Sequence, residues 1–133
     1  MAQKYIIGDL IKYKVGGLEF IAEITNTSKY GYCFKGVSDD ISGTLCKEFA
    51  KDIPLTPEIL EKNGWNGATH SKQSDDNTKI LYMTFKRKGY PTIKVSQDLK
   101  ITCELSPFIV KLESVSDLQH LLFGLGINHE MEV

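Results

Sequence analysis

Lys86, Arg87 and Lys88 stand together between Phe85 and Tyr90, the densest run of cations in the chain. Guanidinium and ammonium groups make charge-assisted hydrogen bonds to phosphate oxygens, and cations beside aromatic faces are what proteins use to hold a phosphate and stack a base. Lys79 and Lys94 extend the positive charge onto the flanking segments. Residues 72–100 carry 7 basic and 3 acidic side chains, against 1 and 5 for residues 101–133, so a local charge of +4 is followed by one of −4. Among the six tyrosines, Tyr30 and Tyr32 alternate with Phe34, which on a strand puts three rings on one face. Lys86, Arg87, Lys88, Tyr90 and Tyr32 are therefore the expected ligand-binding residues. The basic turn also suits two plainer roles. Its lysines can keep a sheet edge from pairing, and its charge can be drawn to the acidic tail, an attraction that salt screens.

Catalysis has little to work with. A nucleophile needs a base beside it, and the only histidines are His70, in a polar stretch, His120, beside Gln119 near the C-terminus, and His129, in a charged tail. There is no Gly-x-Ser-x-Gly elbow and no His-Glu-x-x-His pair, and Gly124-Leu125-Gly126 follows a helical pattern where a phosphate loop would precede one. Asp75-Asp76-Asn77 lacks the Gly and terminal Glu of a calcium loop. Cys33, Cys46 and Cys103, odd in number and far apart, match neither a disulfide framework nor a zinc site and read as reduced, mostly buried thiols. The expectation is no catalytic residue, no metal and no cofactor.

The elements that must position these side chains are written in the hydrophobic pattern. With 133 residues, 41% hydrophobic and 25% charged, the chain has the size and composition of one globular domain. Tyr5 to Lys14 reads as a strand, and Gly16-Gly17 turns it into a run in which Leu18, Phe20, Ala22 and Ile24 recur with period two. Tyr30 to Phe34 and a weaker strand around Thr44 to Phe49 complete a curved antiparallel sheet or small SH3-like barrel over residues 1–52. Residues 53–65 hold a short helix: Thr56 as N-cap, Pro57 at the first helical position, Leu55 and Leu60 as a staple, Gly64 after the C-cap and Trp65 packing back. Asn66 to Thr78 reads as a polar mobile loop, followed by a second antiparallel meander over Lys79–Phe85, Tyr90–Val95, Ile101–Leu105 and Phe108–Leu112. From Ser116 the period becomes helical, with Leu118, Leu121, Leu122 and Leu125 as the buried stripe, Ser116 and Gln119 as a capping box and Gly126 as the stop. The fold expected is α+β, one domain over residues 1–133, with the 79–133 subregion ending in a helix packed on the sheet.

Ile7-Gly8-Asp9-Leu10-Ile11, Ile53-Pro54-Leu55-Thr56-Pro57-Glu58-Ile59-Leu60, and the Val115 to Leu125 stretch with Leu118-Gln119-His120-Leu121 occur in this order and spacing. Together they make most of the chain resemble a group of short proteins of no assigned activity encoded by phages and mobile elements of Bacteroidota. The resemblance implies a phage or mobile-element origin and a role in the cytoplasm of a bacterial host, but supplies no site residue. The basic Phe85 to Tyr90 turn departs from the group's pattern.

The leading expectation is a non-enzymatic phage-type binding protein that captures a small phosphorylated or nucleotide ligand, in the manner of an anti-defence protein sequestering a host immune signal. The competing expectation is a protein-interaction module that docks on a host or phage protein through its C-terminal helix or a sheet edge. In that reading Phe123, turned away from Leu121 and Leu125, and His120 form the interface, and a homo-oligomer is expected. A net charge of −1 argues against extended binding to double-stranded DNA. Charges recur too often for eighteen consecutive apolar residues, and the N-terminus meets Gly8-Asp9 before a signal core forms. Neither membrane insertion nor secretion is expected.

Overall fold

The computed structural model describes residues 4–38, 40–73 and 79–133, without the side chains of residues 72, 79 and 80. It is α+β, with two antiparallel sheets and two α-helices, and it divides into two compact units. The first unit runs up to Pro54 and resumes from Ser114 to Met131; the second comprises Leu55–Glu113 and the last two residues.

In the first unit, strands β1 (Leu10–Val15), β2 (Leu18–Thr27), β3 (Gly31–Gly36) and β4 (Ser42–Cys46) lie in sequence order as an open sheet, not a closed barrel. Val15 pairs with Leu18 across Gly16-Gly17, both at positive φ, the two-residue turn whose twist matches the strands it joins. Alternation sends Ile11, Tyr13, Ala22, Ile24, Tyr32 and Phe34 into one core, where Tyr13 stacks on Phe20 at 5.4 Å and meets Phe34 at 4.9 Å.

Helix α2 (Val115–Gly124) belongs to this unit, so the helix expected to group with the second meander packs with the first sheet instead. Its boundaries also correct the expected cap. Ser114 is the N-cap and shares a reciprocal capping box with Asp117, while Ser116 and Gln119 are already inside the helix and buried. The buried stripe is Val115, Ser116, Leu118, Gln119 and Leu122, whereas Leu125 is 44% exposed and Leu121 only half-buried. Helical rotation explains the difference: the inward face centres on positions 115, 118, 119 and 122, about 100° apart per residue, and Leu125 falls where the helix has already ended.

The inward amide of Gln119 ties the unit together. Its Oε1 accepts from Leu10 N at 2.8 Å, and its Nε2 donates to the carbonyls of Gly8 at 2.9 Å and His129 at 3.1 Å. A fully buried amide is tolerated only when its donors and acceptor are paired in this way.

The second unit opens with helix α1 (Pro57–Lys62), which has the ends its sequence specifies. Thr56 Oγ1 accepts from Ile59 N at 3.2 Å. At the other end Trp65 N donates to Leu60 O at 3.0 Å and Gly64 N to Glu61 O at 3.1 Å, the two bonds of a Schellman ending, with Gly64 at φ +92. Leu55, Leu60 and Trp65 are all buried.

Strands β5 (Asn66–Gln73), β6 (Lys79–Lys86), β7 (Ile93–Ser96), β8 (Ile101–Leu105) and β9 (Phe108–Lys111) form the second sheet in sequence order. β5 occupies most of the segment expected as a loop; residues 74–78 of that expectation, with Asp75-Asp76-Asn77, lie outside the described residues. An edge strand needs only the backbone ladder of one neighbour, here Asn66↔Lys86 through Gln73↔Lys79, and so shows no hydrophobic period. Phe85, Ile93, Val95, Ile101 and Cys103 are buried in this unit with Trp65, Leu60 and Leu112. The thiols are free, but only Cys103 is buried; Cys33 is intermediate and Cys46 exposed, correcting the expectation of mostly buried cysteines. Among the described residues no helix is long and apolar enough to cross a membrane.

Candidate functional site

The pleat decides what the basic run Lys86-Arg87-Lys88 becomes. Phe85 is fully buried on the core face of β6, so Lys86 points to the opposite face with Tyr82 and Thr84, and Arg87 returns to the core side. There the Arg87 guanidinium lies 3.9 Å from the centre of the Tyr90 ring and 5.2 Å from that of Trp65, and the two rings meet edge-on at 5.2 Å. Trp65 Nε1 donates to Pro91 O at 3.3 Å, and Tyr90 N donates to Arg87 O at 3.0 Å, closing the turn over Gly89 at φ +81. Gly64 makes room for this stack, since a Cβ there would sit 3.3 Å from Arg87 Nε. The three cations thus diverge: Arg87 is clamped on rings, while Lys86 and Lys88 are exposed and lack a carboxylate partner among the described residues. Tyr90, expected to stack a base, already presents a face to Arg87.

The other expected ring is not available either. Tyr32 lies in the first unit at 2% exposure, edge-on to Tyr5 at 5.5 Å. Tyr30, which was to share its face, precedes the strand and is exposed.

The outer face of the second sheet carries what the turn does not. Register aligns His70, Tyr82 and Ser96 in one row, and Ala68, Thr84, Lys94, Thr102 and Lys111 in the next. Lys94 Nζ lies 4.6 Å from the centre of the Tyr82 ring, and the His70 imidazole stacks on the same tyrosine at 5.2 Å and an interplanar angle of 23°. His70 Nε2 is 2.8 Å from Thr84 Oγ1, which fixes the imidazole in place. The residue expected in a loop at position 70 therefore lies on a strand, with its side chain exposed as expected. Lys86, Lys94 and Lys111 are exposed on this face, and Glu104 is the acidic residue that alternation brings beside them. The signal was in the sequence as Tyr82, Thr84 and Lys86 at period two, but its partner His70 sat in a stretch with no strand pattern.

His120 and Phe123, the expected interface, behave differently from one another. His120 Nε2 lies 2.5 Å from Asp9 Oδ2, which also accepts from Ile6 N at 2.9 Å. Asp9 is fully buried, and its Oδ1 has no partner among the described residues. Burial pushes the Asp9 carboxyl above its ordinary range, opposed by the Ile6 N–H and by His120. Nearby, the Tyr5 hydroxyl donates to Asp52 at 2.7 Å and Lys4 Nζ sits 3.0 Å from the same carboxylate. Burial pushes Asp52 up, but these donors outweigh it and hold the carboxyl below its usual range, while burial and Asp52 push the Tyr5 phenol up. His120 is thus engaged within its own unit. Phe123 is 59% exposed, its ring edge-on to His129 at 5.3 Å, and it remains open to a partner. Among the described residues no cluster of three or more His, Cys, Asp or Glu is arranged to hold a metal ion.

Compared with protein-family models, curated proteins and solved structures, the chain matches none.

Proposed function

We propose that the protein is a non-enzymatic binding protein that captures a phosphorylated, ring-bearing ligand of the nucleotide class on the outer face of its five-stranded sheet. The observation that supports this most is Lys94 held over Tyr82 with His70 stacked on the same ring, flanked by Lys86 and Lys111. A cation already resting on an aromatic ring has lost part of its rotamer freedom before the ligand arrives, so less is lost on binding. The exposed His70 imidazole, backed by Tyr82, offers a surface for a base, a contact worth about 1–3 kcal/mol in single-strand binders. Capture without turnover is the role that follows, and sequestration of a nucleotide signal in a bacterial host is the biological setting in which we place it.

Calorimetric titration with mono-, di- and cyclic nucleotides tests the reading. Lys94→Ser and Tyr82→Ala each weaken binding by at least tenfold; the melt is unchanged in Lys94→Ser, because exposed lysines contribute little to stability, and is lowered but still cooperative in Tyr82→Ala, which also loses its cross-strand ring contact with His70. Equal binding by wild type and both variants, or none by any, would overturn it.

Protein docking is the second reading, supported by the exposed Phe123 ring on α2. It expects a homo-oligomer or host-protein complex that Phe123→Ser dissolves, with the Lys94 variant unaffected.

A further inference from the structure

The first unit holds a recess of about 320 Å³ lined by Lys12, Tyr13, Lys14, Glu19, Phe49 and Lys51, in the lower part of the range of small-ligand sites. After the 3₁₀ turn Lys47–Phe49, the chain runs back along β1, and Lys12 and Lys51 exchange both backbone hydrogen bonds, N to O at 3.0 and 2.9 Å. A directly opposed antiparallel pair projects its two side chains on the same face, and like charges so placed repel. Lys14, two residues along β1, joins that face. Glu19 is the carboxylate present, 3.9 Å from Lys12 Nζ, which leaves the group at +2. Phe49, 52% exposed at the end of the turn, adds an open ring. Local repulsion kept beside an open aromatic costs stability, and such conflicts are expected where a ligand resolves them.

We propose that this recess binds a phosphate monoester carried on an aromatic ring, the head group among Lys12, Lys14 and Lys51 and the ring against Phe49. A phosphate monoester carries about −1.5 to −2 at neutral pH, which matches the excess charge, whereas a single carboxylate would leave a cation uncompensated. The site is in a different unit from the outer sheet face and stands or falls without it.

The test is amide chemical-shift mapping of the whole protein with phenyl phosphate, using inorganic phosphate and phenol as controls. Phenyl phosphate is expected to shift the amides of Lys12, Lys14, Phe49 and Lys51 saturably, with at least tenfold higher affinity than either control. Lys51→Gln is expected to weaken that binding at least tenfold and to raise the melting temperature, because it removes one member of the repelling pair; Lys14→Gln, outside the pair, weakens binding with the melt unchanged. Phosphotyrosine, an aryl phosphate, is expected to bind as phenyl phosphate does, and AMP, whose phosphate sits on ribose and not on the ring, at least tenfold more weakly; the reverse order would overturn the aryl-phosphate assignment. Inorganic phosphate binding as tightly as phenyl phosphate, unaltered affinity in both lysine variants, or shifts that map elsewhere would each overturn the proposal.

Discussion

His120 Nε2 stands 2.5 Å from Oδ2 of Asp9, joining the C-terminal helix to a carboxylate that has no exposed surface of its own. Because burial raises the Asp9 pKa above its ordinary 3.8, the folded chain holds that proton to higher pH than the unfolded chain does. The contribution of Asp9 to stability is therefore complete below 3.8 and is lost as pH rises through the folded value. Asp52 has the opposite sign: its lowered pKa gives stability above 3.8 that is lost as pH falls through its folded value. Melting Asp9→Asn and wild type side by side from pH 3 to 7 separates the two. The advantage of wild type over the variant shrinks as pH rises, and parallel curves would show that Asp9 titrates alike in both states.

Gln119 holds Leu10 N and the carbonyls of Gly8 and His129 with one buried side chain. Gln119→Met keeps the volume and strands these groups, at a cost of about 3 kcal/mol or more. Gln119→Glu is worse, since it turns an oxygen toward two carbonyls. Chemical denaturation measures both, and a loss below about 1 kcal/mol would mean that water replaces the amide.

Leu122 and Leu125 are one helical turn apart in sequence and differ in burial. An aspartate at Leu122 places an unpaired charge in the core and removes the cooperative melt, with a cost of several kcal/mol. The same change at Leu125 shifts stability by about 1 kcal/mol at most. Similar melts for the two variants would contradict the helix orientation.

The three cysteines should alkylate in the order Cys46, Cys33, Cys103, following exposure. Burial also pushes the Cys103 thiol up, which lowers its thiolate fraction at the labelling pH. Timed iodoacetamide labelling followed by peptide mass spectrometry reads the order directly, and Cys103 reacting early would indicate that its sheet opens easily.

What sequence made legible is what was locally encoded. Helix α1 carries its own punctuation in Thr56, Pro57 and Gly64, and the Gly16-Gly17 turn fixes the register of the first hairpin. β5 was invisible because an edge strand of Asn, Gly, Thr, His, Ser and Gln side chains buries almost nothing and owes its form to the ladder of β6. Gln119 read as half of a capping box because its true partners lie as many as 111 residues away. The Lys86-Arg87-Lys88 run was legible as charge, but the pleat that sends Lys86 and Arg87 to opposite sides of β6 follows only once the strand's end is known. Tyr32 was placed on the right face of its strand; that face turned out to be the core.

The chain leaves the first unit at Pro54 and re-enters it at Ser114, two residues that themselves bridge in antiparallel fashion. One unit is thus interrupted by all but the last two residues of the other, and this has a consequence during synthesis. At about 5–20 residues per second, β1–β4 leave the ribosome several seconds before the helix that supplies Gln119 and His120. Through that interval Asp9 remains hydrated and Leu10 N without its side-chain acceptor, so the nascent first sheet waits half-built while the second unit, continuous from Leu55 to Glu113 apart from its last two residues, has nearly all its own core in hand. The later segment is therefore free to fold first, and completion of the earlier one is timed by the emergence of Val115–Gly124.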